Sequence, residues 1–252
     1  MGFVETEAIV LRKYNLSDAD KIVVVLTEKR GLVRGVANGA KRLKSKFASS
    51  LEFFSRIHIH YFEKEERELV SIRNTDLVES VFGKLSNPEF YDAFAEIADL
   101  LIRFTPPNEP NERLYNMTKH CLMAGASNEK YVKSVKVYFE IWLLKLGGFL
   151  PEWNECAVCS RSLTGDTATG MGLDFRLICS DCERPRVPVS YVIRDCYNFA
   201  QRTGPKKFAK RVDERETDIS GLAGVIAKIS DAVLERAPTA AGTYDGPEID
   251  AA

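Results

Sequence analysis

Over the first eighty or so residues, apolar positions recur in short runs with strand spacing. The stretch Val4 to Leu11 alternates, with Ala8 and Val10 opposed to Ile9 and Leu11, and Ile22-Val23-Val24-Val25-Leu26 is a β-branched run short enough for a buried strand. Lys29-Arg30-Gly31 supplies a turn, and strand character resumes from Leu32 to Ala37. A glycine-flanked basic loop follows. From Leu51 to Phe62 the residues Ile57, Ile59 and Tyr61 share one face, and Leu69 to Ile72 is predicted as the last strand. Five short strands in so short a stretch predict a small closed or partly open barrel. The OB-fold is the leading reading, and an SH3-like barrel has the same strand number.

The period changes at Ser86-Asn87-Pro88-Glu89, where a polar cap precedes a proline at the first helical position. Phe90, Phe94, Ile97, Leu101 and Phe104 then recur at helical spacing until Pro106-Pro107. Pro110 marks the next start, with Leu114, Met117, Cys121 and Ala124 as the apolar face. Asn128 opens a third helix, whose stripe of Tyr131, Val135, Tyr138, Phe139, Trp142, Leu143 and Leu146 makes it the predicted spine, and Gly147-Gly148 ends it. After a cysteine-bearing stretch, Val192 to Ala200 predicts another helix and Leu222 to Leu234 a final one. The expected organisation is therefore α+β and multidomain. A barrel covers 1–83, an all-α domain covers 84–150 and 188–236, a four-cysteine module is inserted at 151–187, and a Pro/Gly-containing tail at 237–252 is expected to be disordered.

Charge changes this picture locally. The 252 residues carry 35 Lys and Arg against 36 Asp and Glu, for a net charge of −1. Yet Lys29, Arg30, Arg34, Lys41, Arg42, Lys44 and Lys46 follow one another with no acid among them. A near-neutral chain with one basic segment is expected to have one anionic partner face. Nowhere do 18 uncharged apolar residues run together, and the acidic start lacks a signal-peptide layout, so no membrane partner and a cytoplasmic location are expected.

Cys156-Ala157-Val158-Cys159 and Cys179-Ser180-Asp181-Cys182 form C-x2-C-x19-C-x2-C. Two residues between cysteines let one tight turn aim both sulfurs at a single ion, and two such turns at the base of a hairpin complete a tetrahedron. The stretch Leu173 to Ile178 alternates like the second strand of that hairpin. One structural zinc per chain on Cys156, Cys159, Cys179 and Cys182 is the expectation, with Arg161, Arg184 and Arg186 offsetting thiolate charge. The alternatives are a pair of disulfides, which need an oxidising compartment, and a rubredoxin-like iron site. Cys121 and Cys196 fall on apolar helix faces and read as core residues.

Other chemistry is poorly represented. A Walker A loop starting at Gly35 needs Gly at 40 and Ser or Thr at 42, where the chain has Ala40 and Arg42. His58 and His60 would project together from a strand, but without a third histidine or clustered carboxylates they read as polar residues on an exposed face. With no nucleophile–base pair or carboxylate pair evident, the chain is read as non-enzymatic. The basic loop, set in a small barrel, fits single-stranded nucleic acid, with Tyr14, Phe47, Phe53 and Phe54 available nearby for base stacking, though some of these must belong to the core. A solvated surface loop is the plainer alternative.

Several blocks together resemble the RecO recombination-mediator family. They are Glu7-Ala8-Ile9-Val10-Leu11-Arg12 with Ser17-Asp18-Ala19-Asp20-Lys21-Ile22, then Gly39 to Phe47 followed by Leu51-Glu52-Phe53-Phe54, and finally Phe139 to Cys159 with Ile178 to Cys182. The resemblance spans roughly residues 3–190 and thins after Pro188. It implies an OB-fold domain joined to a helical domain with a zinc module. It also implies DNA repair by the RecF pathway: binding of single- and double-stranded DNA, annealing of complementary strands, and help in loading RecA onto strands coated by single-strand-binding protein. RecR and the C-terminal tail of single-strand-binding protein are the implied partners, with RecA engaged indirectly. By position, Lys41, Arg42, Lys44 and Lys46 occupy the family's basic loop, Arg34 joins them as a candidate DNA contact, and the four cysteines occupy its metal positions. The alternative function is a zinc-stabilised OB-fold RNA-binding factor in translation or transcription.

Overall fold

The computed structural model describes residues 2–63, 68–150, 152–165, 167–184 and 187–236. The tail expected at 237–252 and Arg186 lie outside the described residues. Two compact units are present, one running to Leu122 and the other beginning at Met123.

The first unit is built on five strands: β1 (Gly2–Asn15), β2 (Lys21–Thr27), β3 (Gly31–Ala37), β4 (Arg56–Glu63) and β5 (Val70–Glu79). Their order is β1-β2-β3-β5-β4, and β4 pairs back onto β1, which closes the barrel. β3 and β5 run parallel while the other pairs are antiparallel. This crossover order is that of the OB-fold and departs from a simple meander. Long β1 serves two neighbours because the register shift between Val10 and Arg12 bends it from one to the other.

Inside lie Ala8, Val10, Val23, Val25, Val33, Ala37, Ile57, Ile59, Tyr61, Val70 and Ile72. Each large apolar side chain taken from water contributes about 1.5–3 kcal/mol. The outer faces of β1 and β2 are also buried, since every residue of Ala8–Leu11 and Ile22–Leu26 is at most 4% exposed. Helices of the same unit supply the cover. In α1 (Pro88–Phe104), capped as expected by Asn87, Phe94 packs edge-on against Phe54 with ring centroids 5.3 Å apart. In α2 (Glu112–Ser127), the Tyr115 hydroxyl donates to Glu7 on β1 at 2.9 Å.

Three strand expectations need correction. β4 begins only at Arg56, because Ala48–Leu51 forms a 3-10 turn that carries Leu51 into the barrel end. β5 runs on to Glu79, but from Asp76 to Glu79 every residue is exposed, Leu77 and Val78 included, so no buried face gives this extension an alternating pattern. In the cysteine module, Leu173 to Arg176 is a turn: the Gly172 amide donates to the Arg176 carbonyl at 2.8 Å, and Phe175 has φ 63.

The second unit centres on α3 (Val132–Leu146), which packs on α4 (Tyr191–Ala200), α5 (Pro205–Glu214) and α6 (Ser220–Arg236). The spine was legible in its apolar stripe. Trp142 Nε1 donates to the Ala200 carbonyl at 3.0 Å, and the Tyr138 hydroxyl donates to that of Thr203 at 2.7 Å. Helix α5 escaped the apolar pattern because Pro205-Lys206-Lys207-Phe208-Ala209-Lys210-Arg211-Val212 buries only Phe208, Ala209 and Val212. Between α3 and α4, β6 (Thr169–Met171) pairs with both β7 (Leu177–Cys179) and β8 (Pro188–Val189) to carry the cysteines. Among the described residues, no helix is long and apolar enough to cross a membrane.

Candidate nucleic-acid interface and metal centre

The basic run is continuous in sequence but divided in space. β2 and β3 are joined by the turn at Glu28–Arg30, so Lys29 and Arg30 lie at one end of the barrel and residues 38–47 at the other. The strands between them span about 3.3 Å per residue. Lys29 donates to the Glu5 carbonyl at 3.2 Å, and Arg30 lies 3.7 Å from a Glu63 carboxylate oxygen, so these two cations hold the barrel together. Arg34 sits on β3 between the inward residues Val33 and Gly35, half-buried on the outer wall and apart from the loop.

Lys41, Arg42, Lys44 and Lys46 do come together, all exposed, on the loop after β3. That loop is tied to the β1–β2 turn. The Gly39 amide donates to Asp20 Oδ1 at 2.7 Å, and the Lys41 amide donates to the Ala19 carbonyl at 3.0 Å. Gly39 adopts φ +76, a conformation natural to glycine, and lets the Arg42 side chain fold over it. Leu43 projects fully into solvent between the cations.

The nearby aromatics divide, as expected, between core and surface. Phe47 belongs to the barrel core and Phe54 is fully buried, so neither can stack on a base; Tyr14 and Phe53 remain part-exposed. The sequence reading missed two lysines at the same barrel end. Lys13 forms an ion pair with Glu52 at 2.7 Å, and Lys21 opens β2. Their signal is parity: both are charged residues at strand ends, directly opposite inward-facing apolar partners. Among the described residues, His58 and His60, both on the outer face of β4, belong to no group of potential metal ligands, and His60 lies 3.5 Å from an Asp76 carboxylate oxygen and 3.8 Å from one of Glu5.

The four cysteines converge as their spacing predicts. The sulfurs of Cys156, Cys159, Cys179 and Cys182 all lie within 4.8 Å of one another, the one such group of potential metal ligands among the described residues. Cys159 Sγ and Cys179 Sγ are 3.8 Å apart, about the edge of a tetrahedron with 2.3 Å metal–sulfur bonds. None of the six cysteines is in a disulfide. Burial opposes ionisation of Cys156, but amides from Cys159, Cys179 and Val158 point at its sulfur and hold the thiol down at about 6. Cys182 is pushed up to about 12, chiefly because it shares its proton with Cys159 and Cys179. Arg161 pairs with Asp181 at 2.5 Å, which together with the nearby Cys159 and Cys179 favours its cation. Thiol identity, spacing and amide donors all fit a metal ion held by four sulfurs, with no position left open.

Two residues anchor this module to its own unit. Trp153 is fully buried, stacks on Tyr197 with centroids 4.0 Å apart, and donates from Nε1 to the Phe175 carbonyl at 2.9 Å. Arg194 of α4 reaches the carbonyls of Leu163, Gly165 and Thr167 at 2.5–2.9 Å. Neither was singled out from sequence. A tryptophan three residues before the first cysteine was the available sign.

Comparison with known proteins gives two matches along the chain. Residues 1–81 match the family model "Recombination protein O N terminal", and residues 87–191 match "Recombination protein O C terminal". The chain is 30% identical over 184 residues to the DNA repair protein RecO of Geobacter metallireducens, covering 73% of this chain and 74% of that one. It is 29% identical over 180 residues to that of Koribacter versatilis, covering 71% and 72%. The RecO of Thermodesulfovibrio yellowstonii is 30% identical over 179 residues, covering 70% and 69%. With a barrel matching the first model and the helical, cysteine-bearing part matching the second, the chain belongs to the RecO family of DNA repair proteins.

Proposed function

We propose that the protein is a non-enzymatic recombination mediator. It binds single- and double-stranded DNA through the cationic end of its barrel, anneals complementary strands, and assists RecA on strands coated by single-strand-binding protein in the bacterial cytoplasm. RecR and the tail of single-strand-binding protein are its further partners in this reading. The observation that carries it is the loop of exposed Lys41, Arg42, Lys44 and Lys46 pinned to the β1–β2 turn of an OB-type barrel. Arg34, on the outer wall of β3, is proposed as an outlying contact. Annealing needs two polyanions brought together without either being held tightly, and phosphate contacts by lysine and arginine are weak, salt-sensitive and indifferent to sequence. The metal in this reading is one structural zinc, which braces the module and takes no part in strand chemistry.

The test is a salt titration. Log affinity for single strands should fall against log salt by about 0.7 per phosphate engaged. Lys41→Ala with Arg42→Ala should make that slope shallower by about one to one and a half, weaken different sequences alike, and reduce annealing in parallel, while melting temperature holds. An unchanged slope with lost thermal stability would show that the loop packs internally. Stronger binding to RNA than to DNA would favour the RNA-binding alternative.

A further inference from the structure

Not all cations at this barrel end are alike. Lys13 pairs with Val23 and Lys21 with Ala37 in the ladder, and both partners belong to the barrel core. Directly opposed residues share a face. Lys13 and Lys21 therefore issue from the interior face at the mouth of the barrel, on rigid strands. Lys41 joins them from the loop, its amide bound to the Ala19 carbonyl and its Nζ donating to the Ser17 carbonyl at 3.3 Å. We propose that Lys13, Lys21 and Lys41 form a fixed seat for one phosphate of a nucleic-acid backbone, while Arg42, Lys44 and Lys46 supply only diffuse attraction. The proposal rests on the DNA-binding reading and adds to it the place where a strand is registered on the protein.

Charge balance within the cluster points the same way. Burial and the charge of Lys13 hold the Lys21 ammonium below its ordinary range, Glu52 restores part of this, and Lys41 lowers it further. Glu52 is already engaged by Lys13 at 2.7 Å, and Asp20 by the Gly39 amide at 2.7 Å. Among the described residues, no carboxylate stands within ion-pair distance of Lys21. Lys21 has thus given up part of its hydration and faces like charge without a counter-ion of its own. A phosphate answers each lack, because its oxygens accept several charge-assisted hydrogen bonds at once and its charge relieves the repulsion.

The experiment uses the full chain, an oligothymidylate strand and inorganic phosphate. Lys21→Met should weaken binding of the strand at low salt by about tenfold and flatten the salt slope by about 0.7, one phosphate's worth. Its melting temperature should hold or rise, since a partly buried charge is removed. In the wild-type protein, the ammonium resonance of Lys21 should shift on adding the strand, a readout that does not depend on how the variant folds. A seat for free phosphate, as opposed to backbone phosphate, would show as a Lys21 shift with inorganic phosphate and none with the strand, and would overturn the proposal. So would a slope that Lys21→Met leaves intact while Lys41→Ala with Arg42→Ala flattens it; that result would leave DNA binding by the barrel standing. No binding of the strand by the wild-type chain would overturn both readings.

Discussion

Glu7 lies at the junction of three elements, and its single carboxylate holds them together. It accepts from the Tyr115 hydroxyl at 2.9 Å and lies 3.3 Å from Lys119 Nζ, both on α2, and 3.5 Å from Arg56 of β4. Burial works against its charge, but these donors prevail and hold the carboxyl below its ordinary value of 4.5. A lowered folded-state value means that the stabilisation is fully present above that ordinary value and is lost as pH falls through the folded one. The side chain is about a quarter exposed, so screening limits the effect to about 1 kcal/mol. Glu7→Gln should cost that much in denaturant unfolding at neutral pH, and the gap to wild type should close in acid, below the range where Glu7 titrates. A gap that stays constant with pH would mean that shape, not charge, is what position 7 supplies.

At the scale of elements, the β2–β3 turn shows how a connection can be as constrained as a strand. Gly31 has φ +64, and a Cβ placed on it would stand 1.9 Å from the Glu109 carbonyl oxygen, while the adjacent Asn108 amide donates to the Leu32 carbonyl at 2.9 Å. Gly31→Ala combines a left-handed backbone with a clash against main chain, so a loss of about 3 kcal/mol in unfolding free energy is expected. A loss under about 0.5 kcal/mol, the ordinary scatter of surface substitutions, would show that the 106–109 segment does not hold this position. The sequence signalled Lys29-Arg30-Gly31 as a turn, but nothing in it tells what the turn is packed against. The same limit separates what was legible from what was not. Ile57, Ile59 and Tyr61 alternate because one face is buried, and Phe90, Phe94, Ile97 and Leu101 repeat because one stripe is. Where burial is sparse the signal fades, as in outer β5 and in α5. The cysteine centre was legible from spacing alone, since two knuckles can close on one ion in few ways. Lys13 was not, because its parity shows only after the register of β1, with its shift after Val10, is known, and Lys21, though in step with Val23 and Val25, is a charged residue at a strand end that an apolar pattern passes over.

At the scale of the whole molecule, the two proposed working parts fall in different compact units. The cationic barrel end belongs to the unit ending at Leu122, and the cysteine centre to the one beginning at Met123. Each has its own core: the barrel interior in one, and the α3 spine with Trp153, Tyr197 and Phe208 in the other. Thiolate centres of this kind commonly contribute on the order of 10 kcal/mol to local folding, and removing one of four ligands forfeits much of that. Cys159→Ser should therefore lower bound metal well below one per chain and open residues 152–184 to protease. Because Lys13, Lys21 and the 38–47 loop rest on the barrel's own hydrogen bonds, the salt slope of single-strand binding should stay at its wild-type value. Changes at sites with no shared partners usually add, so Cys159→Ser combined with Lys41→Ala and Arg42→Ala should show the metal loss of one and the flattened slope of the other. Metal analysis, limited proteolysis and a salt titration on the same preparations check this. A slope that flattens on loss of the metal alone would place the cysteine module itself among the DNA contacts.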